Sequence, residues 1–256
     1  MGWDNIMYYL SILLHPKQNN AVGIESSILE SVTTGVKGCI KKLFMRRVCT
    51  AYVSGKYQKL LAEALHFKGK MIVTKGVGIM NIVEKPPFIP VDKVQNFLYV
   101  GRLSPEKNLP YLVSVFNGLP DVKLNIIGFG PQEEELKRIA GKNITFYGAI
   151  NNTDLPQYYR NNDVFILPSL SEPWGLVVEE ALNNGLPVII SDRVGCRDEV
   201  VQDGVNGLIF SLQDADGLRK AVQKMQDVGF YNTLKKNAAA IDFNKIADEQ
   251  VQCYCN

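Results

Sequence analysis

The sequence has few of the residues that build metal sites, disulfide frameworks and hydrolase active sites. Its only histidines are His15 and His66, and its five cysteines are odd in number, scattered and without CxxC spacing. A zinc site or a disulfide framework is therefore not expected, and we infer a reducing, cytoplasmic compartment. We also find no thiol with a partner histidine and no serine–histidine–aspartate set, which excludes a nucleophilic hydrolase.

Long apolar runs and an excess of one charge are lacking as well. The apolar segment from Ile6 to Leu14 is too short to span a bilayer, and the first four residues lack the basic start of a signal peptide. Net charge is only +2, with 28 Lys and Arg against 26 Asp and Glu, so nucleic acid is not an expected partner. The 256 residues, 46% of them hydrophobic, suffice for one or two globular domains.

Bases and apolar residues interleave at helical spacing between Lys37 and Arg47. Such a helix could make a peripheral contact with an anionic membrane, at its cytoplasmic (inner) face. The other interpretation is an ordinary solvated helix with a buried stripe of leucine, phenylalanine and methionine, and the sequence slightly favours it.

The first third of the chain contains one clear β-α-β unit. Strands are predicted over 48–53 and 70–74 with a helix over 56–67 between them, preceded by helices over 7–14 and 24–32. A doubly wound domain needs several such units, so residues 1–85 are predicted to be the remnant of an incomplete N-terminal α/β domain. A proline-rich linker over 85–90 leads to a second domain, 86–256, whose last helix is expected to pack back on the N-terminal portion.

Strands and helices alternate regularly after the linker. Predicted strands cover 97–101, 124–128, 144–148, 164–167, 187–191 and 208–210, and predicted helices cover 111–116, 131–140, 153–160, 176–184, 197–201 and 215–225. Continuous apolar strands separated by helices are typical of a parallel sheet, so we predict a Rossmann-like, doubly wound α/β fold. The loops at the carboxyl ends of these strands share one edge, where ligands bind in open parallel sheets.

The loop after the first of these strands carries two bases, Arg102 and Lys107. Ser104 is a candidate N-cap and Pro105 a candidate first helical residue, which would place Lys107 in a first helical turn. A cation there opposes the helix dipole unless an anion is bound, so the two bases and nearby amides would suit a pyrophosphate. Alternatively, Lys107 pairs with Glu106 or a distant acid, and Arg102 forms a salt bridge at the sheet edge.

The next loop, with Gly128, Phe129 and Gly130, lacks the third glycine of a dinucleotide-binding fingerprint because Glu133 stands there. The three glutamates that open the following helix would repel phosphate. The loop is therefore a poor phosphate cradle, although its backbone could approach a base or a ribose. A tight turn that needs glycine explains the same residues equally well.

Two carboxylates eight positions apart, Glu172 and Glu180, bracket the loop and helix after the fourth predicted strand of the second domain. On a helical wheel Glu180 lies at the edge of the apolar face, whereas Glu179 points to solvent. A half-buried carboxylate needs donors, which sugar or ribose hydroxyls supply. Gly175 opens the helix with no acid before Glu179, so its amides are available to an anion or a sugar oxygen. Taken alone, these carboxylates fit ordinary surface charges better than a site.

Together these segments resemble the nucleotide-sugar-binding half of the GT-B glycosyltransferases, specifically the retaining family called group 1 or family 4. Their order and spacing between residues 97 and 250 are specific, although each segment alone is modest. The segments that carry the resemblance are Gly101-Arg102-Leu103, Glu106-Lys107-Asn108, Gly128-Phe129-Gly130-Pro131, Gly148, the Glu-x7-Glu element from Glu172 to Glu180, and Gly185-Leu186-Pro187-Val188-Ile189.

The resemblance implies roles for the matching residues. Arg102 and Lys107 would bind the donor diphosphate and, with Glu172, would be the catalytic residues. Glu180 would bind the ribose hydroxyls, and Glu172 with the backbone of Gly175 and Leu176 would bind the donor sugar. The base would lodge near Gly128 and Tyr147. Transfer would retain the anomeric configuration and need no metal and no cofactor, because the two bases neutralise the leaving diphosphate. The implied substrate-binding set is Gly101, Arg102, Lys107, Gly128, Gly130, Tyr147, Glu172, Gly175, Leu176, Val177 and Glu180.

Members of that family carry a complete N-terminal domain that binds the acceptor, and here only its final portion is expected. The leading hypothesis is a glycosyltransferase, or its donor-binding portion, acting on a nucleotide sugar and a glycan or lipid-linked acceptor. The short N-terminal portion is explained by a fragment, by lost activity, or by a partner chain that supplies the other half. The rival class is a nucleotide-sugar-binding protein without catalysis. A sugar-nucleotide epimerase or a phosphorylase on the same fold is a weaker alternative.

Overall fold

The computed structural model describes residues 5–78 and 82–255. The chain forms two compact units. Unit 1 consists of Met1–Gly78 with Lys245–Asn256, and unit 2 consists of Ile79–Asn244. The sequence-based boundary lies at residue 85, and the assignment of the two units to an acceptor side and a donor side stays a prediction.

Unit 1 is built on a small parallel sheet. Its strands lie in the order β1-β2-β3, with helices before and between them. In chain order its elements are α1 (Ile6–Leu14), a 3₁₀ turn (Lys17–Asn19), β1 (Ala21–Ile24), α2 (Gly35–Arg46), β2 (Thr50–Val53), α3 (Lys56–Ala64) and β3 (Lys70–Val73).

Strand β1 is absent from the sequence-based prediction, and the helix predicted over 24–32 is wrong. The four residues of β1 pair in parallel with Thr50–Val53. A run this short, interrupted by Gly23, shows no periodicity that a sequence argument can use. Beyond β1, the Ile28 amide donates to the Tyr57 carbonyl (3.1 Å), a tertiary contact that holds a turn instead of a helix. The N-terminal portion therefore has three strands rather than a single β-α-β unit.

The core of unit 1 joins its helices to the sheet. Tyr9 of α1 packs edge-on against Phe44 of α2, with ring centroids 5.0 Å apart. The chain also returns to this unit in its last helix, where Tyr254 stacks on Tyr52 of β2 (4.7 Å). The buried residues include Ile12, Val22, Ile24, Phe44, Met45, Ala51, Val53 and Leu61.

Unit 2 alternates strands and helices. The six strands predicted after the linker are all present, and each bound lies within one residue of the predicted one. In chain order the elements are β4 (Asn96–Val100), a 3₁₀ turn (Pro105–Lys107), α4 (Leu109–Asn117), β5 (Lys123–Ile127), α5 (Glu133–Ile139), β6 (Ile144–Gly148), α6 (Leu155–Arg160), β7 (Val164–Leu167), α7 (Leu176–Asn183), β8 (Val188–Ser191), α8 (Arg197–Val200), β9 (Gly207–Phe210), α9 (Gly217–Met225) and α10 (Val228–Ala240). Helix α11 (Phe243–Cys255) begins in unit 2 and continues into unit 1.

The strands of unit 2 form one parallel sheet in the order β6-β5-β4-β7-β8-β9. Strands β7 and β8 are buried along their whole length, which explains their uninterrupted apolar sequence. The chain runs outward from β4 to β6, then crosses back and runs outward from β7 to β9. This is the strand order of a doubly wound Rossmann-like fold, and it confirms the predicted fold class. The topological switch point lies between β4 and β7, where such folds bind ligands beyond the carboxyl ends of the strands.

Within the part of the chain that the structure describes, every helix is too short or too polar to cross a membrane.

Candidate functional site

The loops after β4 and β7 meet at the switch point through the side chains of Lys107 and Glu172. The Lys107 Nζ donates to Glu172 Oε2, and the two side chains are 18% and 12% exposed. The sequence left open whether Lys107 pairs with Glu106 or with a distant acid. The structure shows that its partner is the distant acid Glu172. One base and one acid, 65 positions apart, therefore converge where a doubly wound sheet binds ligands.

Backbone contacts hold these two loops together. Asn108 adopts a left-handed conformation (φ 58°), and its side-chain amide donates to the Pro168 carbonyl (3.2 Å). The Leu170 amide donates to the Glu106 carbonyl (2.8 Å). The Lys107–Glu172 contact thus rests on two tied segments of backbone, not only on two long side chains.

The segment that carries Glu172 is also bound to the loop after β8. Its amide donates to the Arg193 carbonyl (3.2 Å), and its own carbonyl accepts from the Gly195 amide (2.9 Å). The amide of Cys196, the residue after Gly195, donates to the Trp174 carbonyl (2.9 Å). A Cβ at Gly195 would lie 1.8 Å from the Pro173 carbonyl oxygen, so only glycine permits this approach. Glu172 is therefore held in place from both sides.

Glu179 is buried, and the prediction that it points to solvent is wrong. Its residue is 1% exposed, and its Oε2 accepts a hydrogen bond from Trp174 Nε1 (2.8 Å). Desolvation raises the pKa of Glu179 to about 7, although the bond from Trp174 opposes the shift. The helical wheel misassigns this residue because Trp174, outside the helix, folds back and provides a buried donor.

Glu180 is half-buried, as the helical wheel predicts. Its Oε2 accepts a hydrogen bond from the hydroxyl of Tyr159 (2.9 Å), and burial raises its pKa. Tyr159 lies in α6, one turn after Leu155, and it is a contact that sequence reasoning missed. The carboxylate keeps a second oxygen for another donor, since a carboxylate accepts several hydrogen bonds.

A cavity of about 300 Å³ lies beside the loops after β4, β5 and β6. Gly128 forms part of its wall with φ 134°, and a Cβ there would lie 1.8 Å from the Gly101 carbonyl oxygen. No side chain fits at that point, so backbone borders the cavity. The lining residues are Val100, Gly101, Arg102, Ile127, Gly128, Phe129, Ala149, Ile150, Asn152 and Leu155.

Arg102 lines this cavity and lies near Glu106. Its carbonyl accepts a hydrogen bond from the buried Tyr99 hydroxyl (2.8 Å), which fixes the backbone at the end of β4. Ser104 occupies the N-cap position but does not cap the turn, because its hydroxyl donates to Glu106 Oε1 (2.6 Å). That bond, with the charges of Lys107 and Arg102, lowers the pKa of Glu106.

Of the residues predicted for the site, Tyr147 lies outside the cavity and Gly130 is required by the packing of the loops. Tyr147 does not line the cavity at Gly128, because its ring packs edge-on against Tyr158 in a separate groove. A Cβ at Gly130 would lie 2.4 Å from the Leu103 carbonyl oxygen, so the close packing of two loops already requires this glycine.

Gly175, Leu176 and Val177 stand at the start of α7, directly after the segment that carries Glu172. Gly175 adopts φ 100°, and Leu176 is the first residue of the helix. Gly175 has no side chain to cap the helix, so no capping side chain satisfies the backbone amides of its first turn. This position fits the predicted role of these residues, which stays a prediction.

Comparison with known proteins identifies the family. Residues 81–240 match the model of the family described as glycosyl transferases group 1. The chain belongs to this family. The glycosyl transferase match covers all of β4 to α10, and so contains the Lys107–Glu172 contact, Glu180 and the cavity at Gly128.

Curated relatives of this group 1 chain include several named transferases. A sulfoquinovosyl transferase of Arabidopsis thaliana is 38% identical over 122 residues, covering 46% of this chain and 24% of that protein. A UDP-Gal:alpha-D-GlcNAc-diphosphoundecaprenol alpha-1,3-galactosyltransferase of Escherichia coli is 32% identical over 153 residues, covering 55% of this chain and 39% of that protein. The chain spans less than half the length of these relatives.

Solved structures share the fold over nearly the whole chain. The sucrose-phosphate synthase of Thermosynechococcus elongatus superposes with a TM-score of 0.78 at 23% identity, covering 99% of this chain and 71% of the other. HepE of Anabaena, solved in complex with UDP and glucose, superposes with a TM-score of 0.73 at 19% identity, covering 92% and 71%. The two α/β units with parallel sheets therefore match the GT-B architecture.

Among residues 5–78 and 82–255, no group of three or more histidine, cysteine, aspartate or glutamate side chains is arranged to hold a metal ion.

Proposed function

We propose that this chain binds a nucleoside diphosphate sugar in unit 2 and acts as a glycosyltransferase, or as its donor-binding portion. The observation that carries the proposal is the contact between Lys107 and Glu172 at the switch point, together with the cavity at Gly128 on the same carboxyl-end loops. A diphosphate needs cations, a sugar needs hydrogen-bond acceptors, and a base needs a cleft with backbone polar groups. The loops after β4, β5 and β7 offer all three.

The charges suggest how a donor would enter the site. Lys107 is paired with Glu172, and a diphosphate would compete for its ammonium with more negative charge. Glu172 would then accept hydrogen bonds from the hydroxyls of the donor sugar. Arg102, which lines the cavity, would bind the diphosphate as the second cation. The exchange keeps each charged group paired, which a half-buried site requires.

The remaining donor atoms fit the other parts of the site. The cavity at Gly128, about 300 Å³, is at the lower end of small-molecule sites and suits a base and part of a ribose. Glu180 is the proposed ribose acceptor, with Tyr159 orienting one of its oxygens. Tyr147 is not part of this proposal because it faces another groove.

The reaction itself is proposed from family membership. Positive charge from Arg102 and Lys107 on the leaving diphosphate would take the place of a metal ion, and transfer would retain the anomeric configuration. Two alternatives stay open: a nucleotide-sugar-binding protein without turnover, and one half of a two-chain transferase. The second is supported by one structural neighbour, which is the GtfA/B complex.

A lipid-linked or glycan acceptor is proposed, together with a membrane contact of unit 1. Two relatives are named for lipid acceptors, the galactosyltransferase above and an alpha-monoglucosyldiacylglycerol synthase of Acholeplasma laidlawii. Helices α1 and α2 contact each other and expose apolar side chains, and residues 31–50 contain five bases and no acid. We call this surface the α1–α2 face; its exposed apolar residues are Ile6, Met7, Leu10, Leu13, Leu14, Val36, Ile40 and Leu43.

Thermal denaturation with UDP, GDP and ADP tests the donor site. We expect at least one nucleoside diphosphate to raise the melting temperature by several degrees when present at about 100 times its dissociation constant. Lys107→Ala should weaken binding roughly 10- to 100-fold, since a charged hydrogen bond contributes about 1.5–3 kcal/mol. Lys137→Ala, which removes a surface lysine paired with Glu133, is the matched control and should keep the shift.

Unchanged melting of folded protein with every nucleoside diphosphate would refute the donor site. Once a nucleotide is identified, release of that nucleotide from its sugar conjugates separates a transferase from a binding protein. A protein that is protected but never releases nucleotide, even with candidate acceptors, supports the binding-protein alternative.

A further inference from the structure

A second, larger concavity lies on unit 2, away from the Lys107–Glu172 contact. It has a volume of about 680 Å³ and begins near the amino-terminal ends of β4 and β5, where Asn96 and Lys123 are the first residues of their strands. From there it follows β6 as far as Tyr147. In a parallel sheet the amino ends of the strands lie at the edge opposite the loops that carry Lys107 and Glu172, so the groove begins at that edge and ends at Tyr147, near the carboxyl end of β6. We call this concavity the tyrosine groove.

Two tyrosines form one end of the tyrosine groove. Tyr147 and Tyr158 pack edge to face, with ring centroids 5.4 Å apart and an angle of 71° between the rings. Tyr147 remains 44% exposed although it belongs to a strand. An edge-to-face pair leaves a ring face open to solvent, and an open aromatic face suits a ligand with a flat apolar surface.

Side-chain amides cover much of the rest of the tyrosine groove. Asn125 Nδ2 donates to Asn162 Oδ1 (2.7 Å), and Asn162 Nδ2 donates to the Tyr158 carbonyl (2.7 Å), which fixes this wall next to the rings. The side chains of Asn161 and Thr145 bond to none of the described residues although both line the groove. The wall is thus ordered and still offers donors and acceptors.

The charge of the tyrosine groove narrows the class of ligand. Its charged lining residues are Asp121, Lys123 and Lys142, all exposed, so the lining is close to neutral. A phosphorylated ligand would need concentrated positive charge, and an apolar peptide would need an apolar floor. A sugar ring has C–H groups on its faces and hydroxyls around its rim, which matches aromatic faces surrounded by amides.

We propose that the tyrosine groove binds a neutral oligosaccharide, as a site separate from the one where the donor reacts. The choice of an oligosaccharide among neutral polyols rests on the proposed transferase function. A glycan held here would be kept near the protein while its end, or another chain, reacts elsewhere. Tyr147 and Tyr158 provide the stacking surface, and Asn161 and Thr145 bond the hydroxyls.

Binding of the whole protein to an array of neutral oligosaccharides with glucose, galactose, mannose and N-acetylhexosamine units tests the proposal. We expect wild-type protein to bind at least one, and Tyr147→Ala and Tyr158→Ala each to weaken that binding at least about tenfold. Asn161→Ala should weaken it less. Tyr8→Ala is the matched control, because Tyr8 is 43% exposed and lies in unit 1.

The outcome can be separated from that of the donor site. Lys107→Ala should bind the array like wild-type protein, and Tyr147→Ala should keep any thermal shift with a nucleoside diphosphate, which also shows that the variant folds. Absence of binding to every oligosaccharide would overturn the tyrosine groove as a glycan site. Binding that survives both tyrosine substitutions would do the same, even if the donor site is confirmed.

Discussion

Burial gives Glu179 a pKa of about 7, because desolvation outweighs the hydrogen bond from Trp174. In the unfolded chain the same carboxyl titrates near 4.5. Between these values the folded protein holds a proton that the unfolded chain has lost, so this group favours folding below pH 4.5 and loses that contribution as pH rises through about 7. Part of the stability of the folded protein therefore depends on the protonation of Glu179.

Glu179→Gln should remove this dependence. A glutamine oxygen still accepts from Trp174 but carries no charge at any pH. Relative to the variant, wild-type protein should lose stability between about pH 4.5 and about pH 7, by an amount on the order of 3 kcal/mol. Urea denaturation of both proteins across this range measures the difference.

Glu134→Gln serves as the control for that series, since the Glu134 side chain is 93% exposed. Its stability should differ from wild type by a small amount throughout. Parallel curves for wild type and Glu179→Gln would show that the Glu179 carboxylate is not desolvated as the structure places it.

At the residue scale, charge and spacing single out Lys107, Glu172 and Glu180 as candidates, and their roles in a site stay predictions. The partner of each group came only from the fold. Glu179 was misplaced because its hydrogen bond from Trp174 lies outside the helical pattern. Tyr147 packs against Tyr158 and does not line the cavity at Gly128.

The loop after β7 behaves as a small structural element of its own. It lies against the loop after β8, with Gly195 at the closest approach to Pro173. Its contacts are mainly backbone hydrogen bonds, so side-chain substitutions in the loop should disturb it less than a change at this glycine. The position of Glu172 then depends on one residue in a neighbouring loop.

Gly195→Ala should separate the two loops. A Cβ 1.8 Å from a carbonyl oxygen forces the backbone to move, and we expect a loss of at least about 2 kcal/mol in the free energy of unfolding. If the variant still folds, binding of a nucleoside diphosphate should weaken as well. Chemical denaturation and thermal shifts measure the two effects.

Gly229→Ala is the matched control in α10. A Cβ there meets its nearest neighbour at 3.5 Å, an ordinary contact, so stability should stay the same or rise slightly. Equal stability of Gly195→Ala and Gly229→Ala would contradict the tight packing of the two loops.

At the scale of the whole molecule, the α1–α2 face of unit 1 exposes apolar side chains next to basic residues. Val36, Ile40 and Leu43 follow one another at helical spacing and stay exposed, while Phe44 and Met45 of the same helix are buried. The sequence predicted a buried stripe of leucine, phenylalanine and methionine in this helix. Phe44 and Met45 are buried as predicted, whereas Leu43 is exposed. Exposed apolar residues beside bases are typical of helices that lie on anionic membranes.

Sedimentation with lipid vesicles tests this surface. We expect the protein to bind vesicles that contain phosphatidylglycerol and to bind pure phosphatidylcholine much more weakly. Lys37→Glu with Arg46→Glu should reduce binding at least about tenfold, since each base near an anionic surface contributes about 1 kcal/mol. Lys137→Glu with Lys220→Glu changes net charge equally on unit 2 and should have little effect. Equal loss in both double variants would mean that only overall charge matters.

The sequence by itself determined the alternating strands and helices of unit 2, because short, continuously apolar strands bounded by glycines and polar residues leave strong local signals. It also determined which loops carry charge. Only the tertiary structure showed that Lys107 pairs with Glu172 and that Trp174 donates a hydrogen bond to the buried Glu179. It also showed that β1 is the third strand of the sheet in unit 1. Each of these depends on a contact between residues far apart in the chain, and no local pattern encodes such a contact.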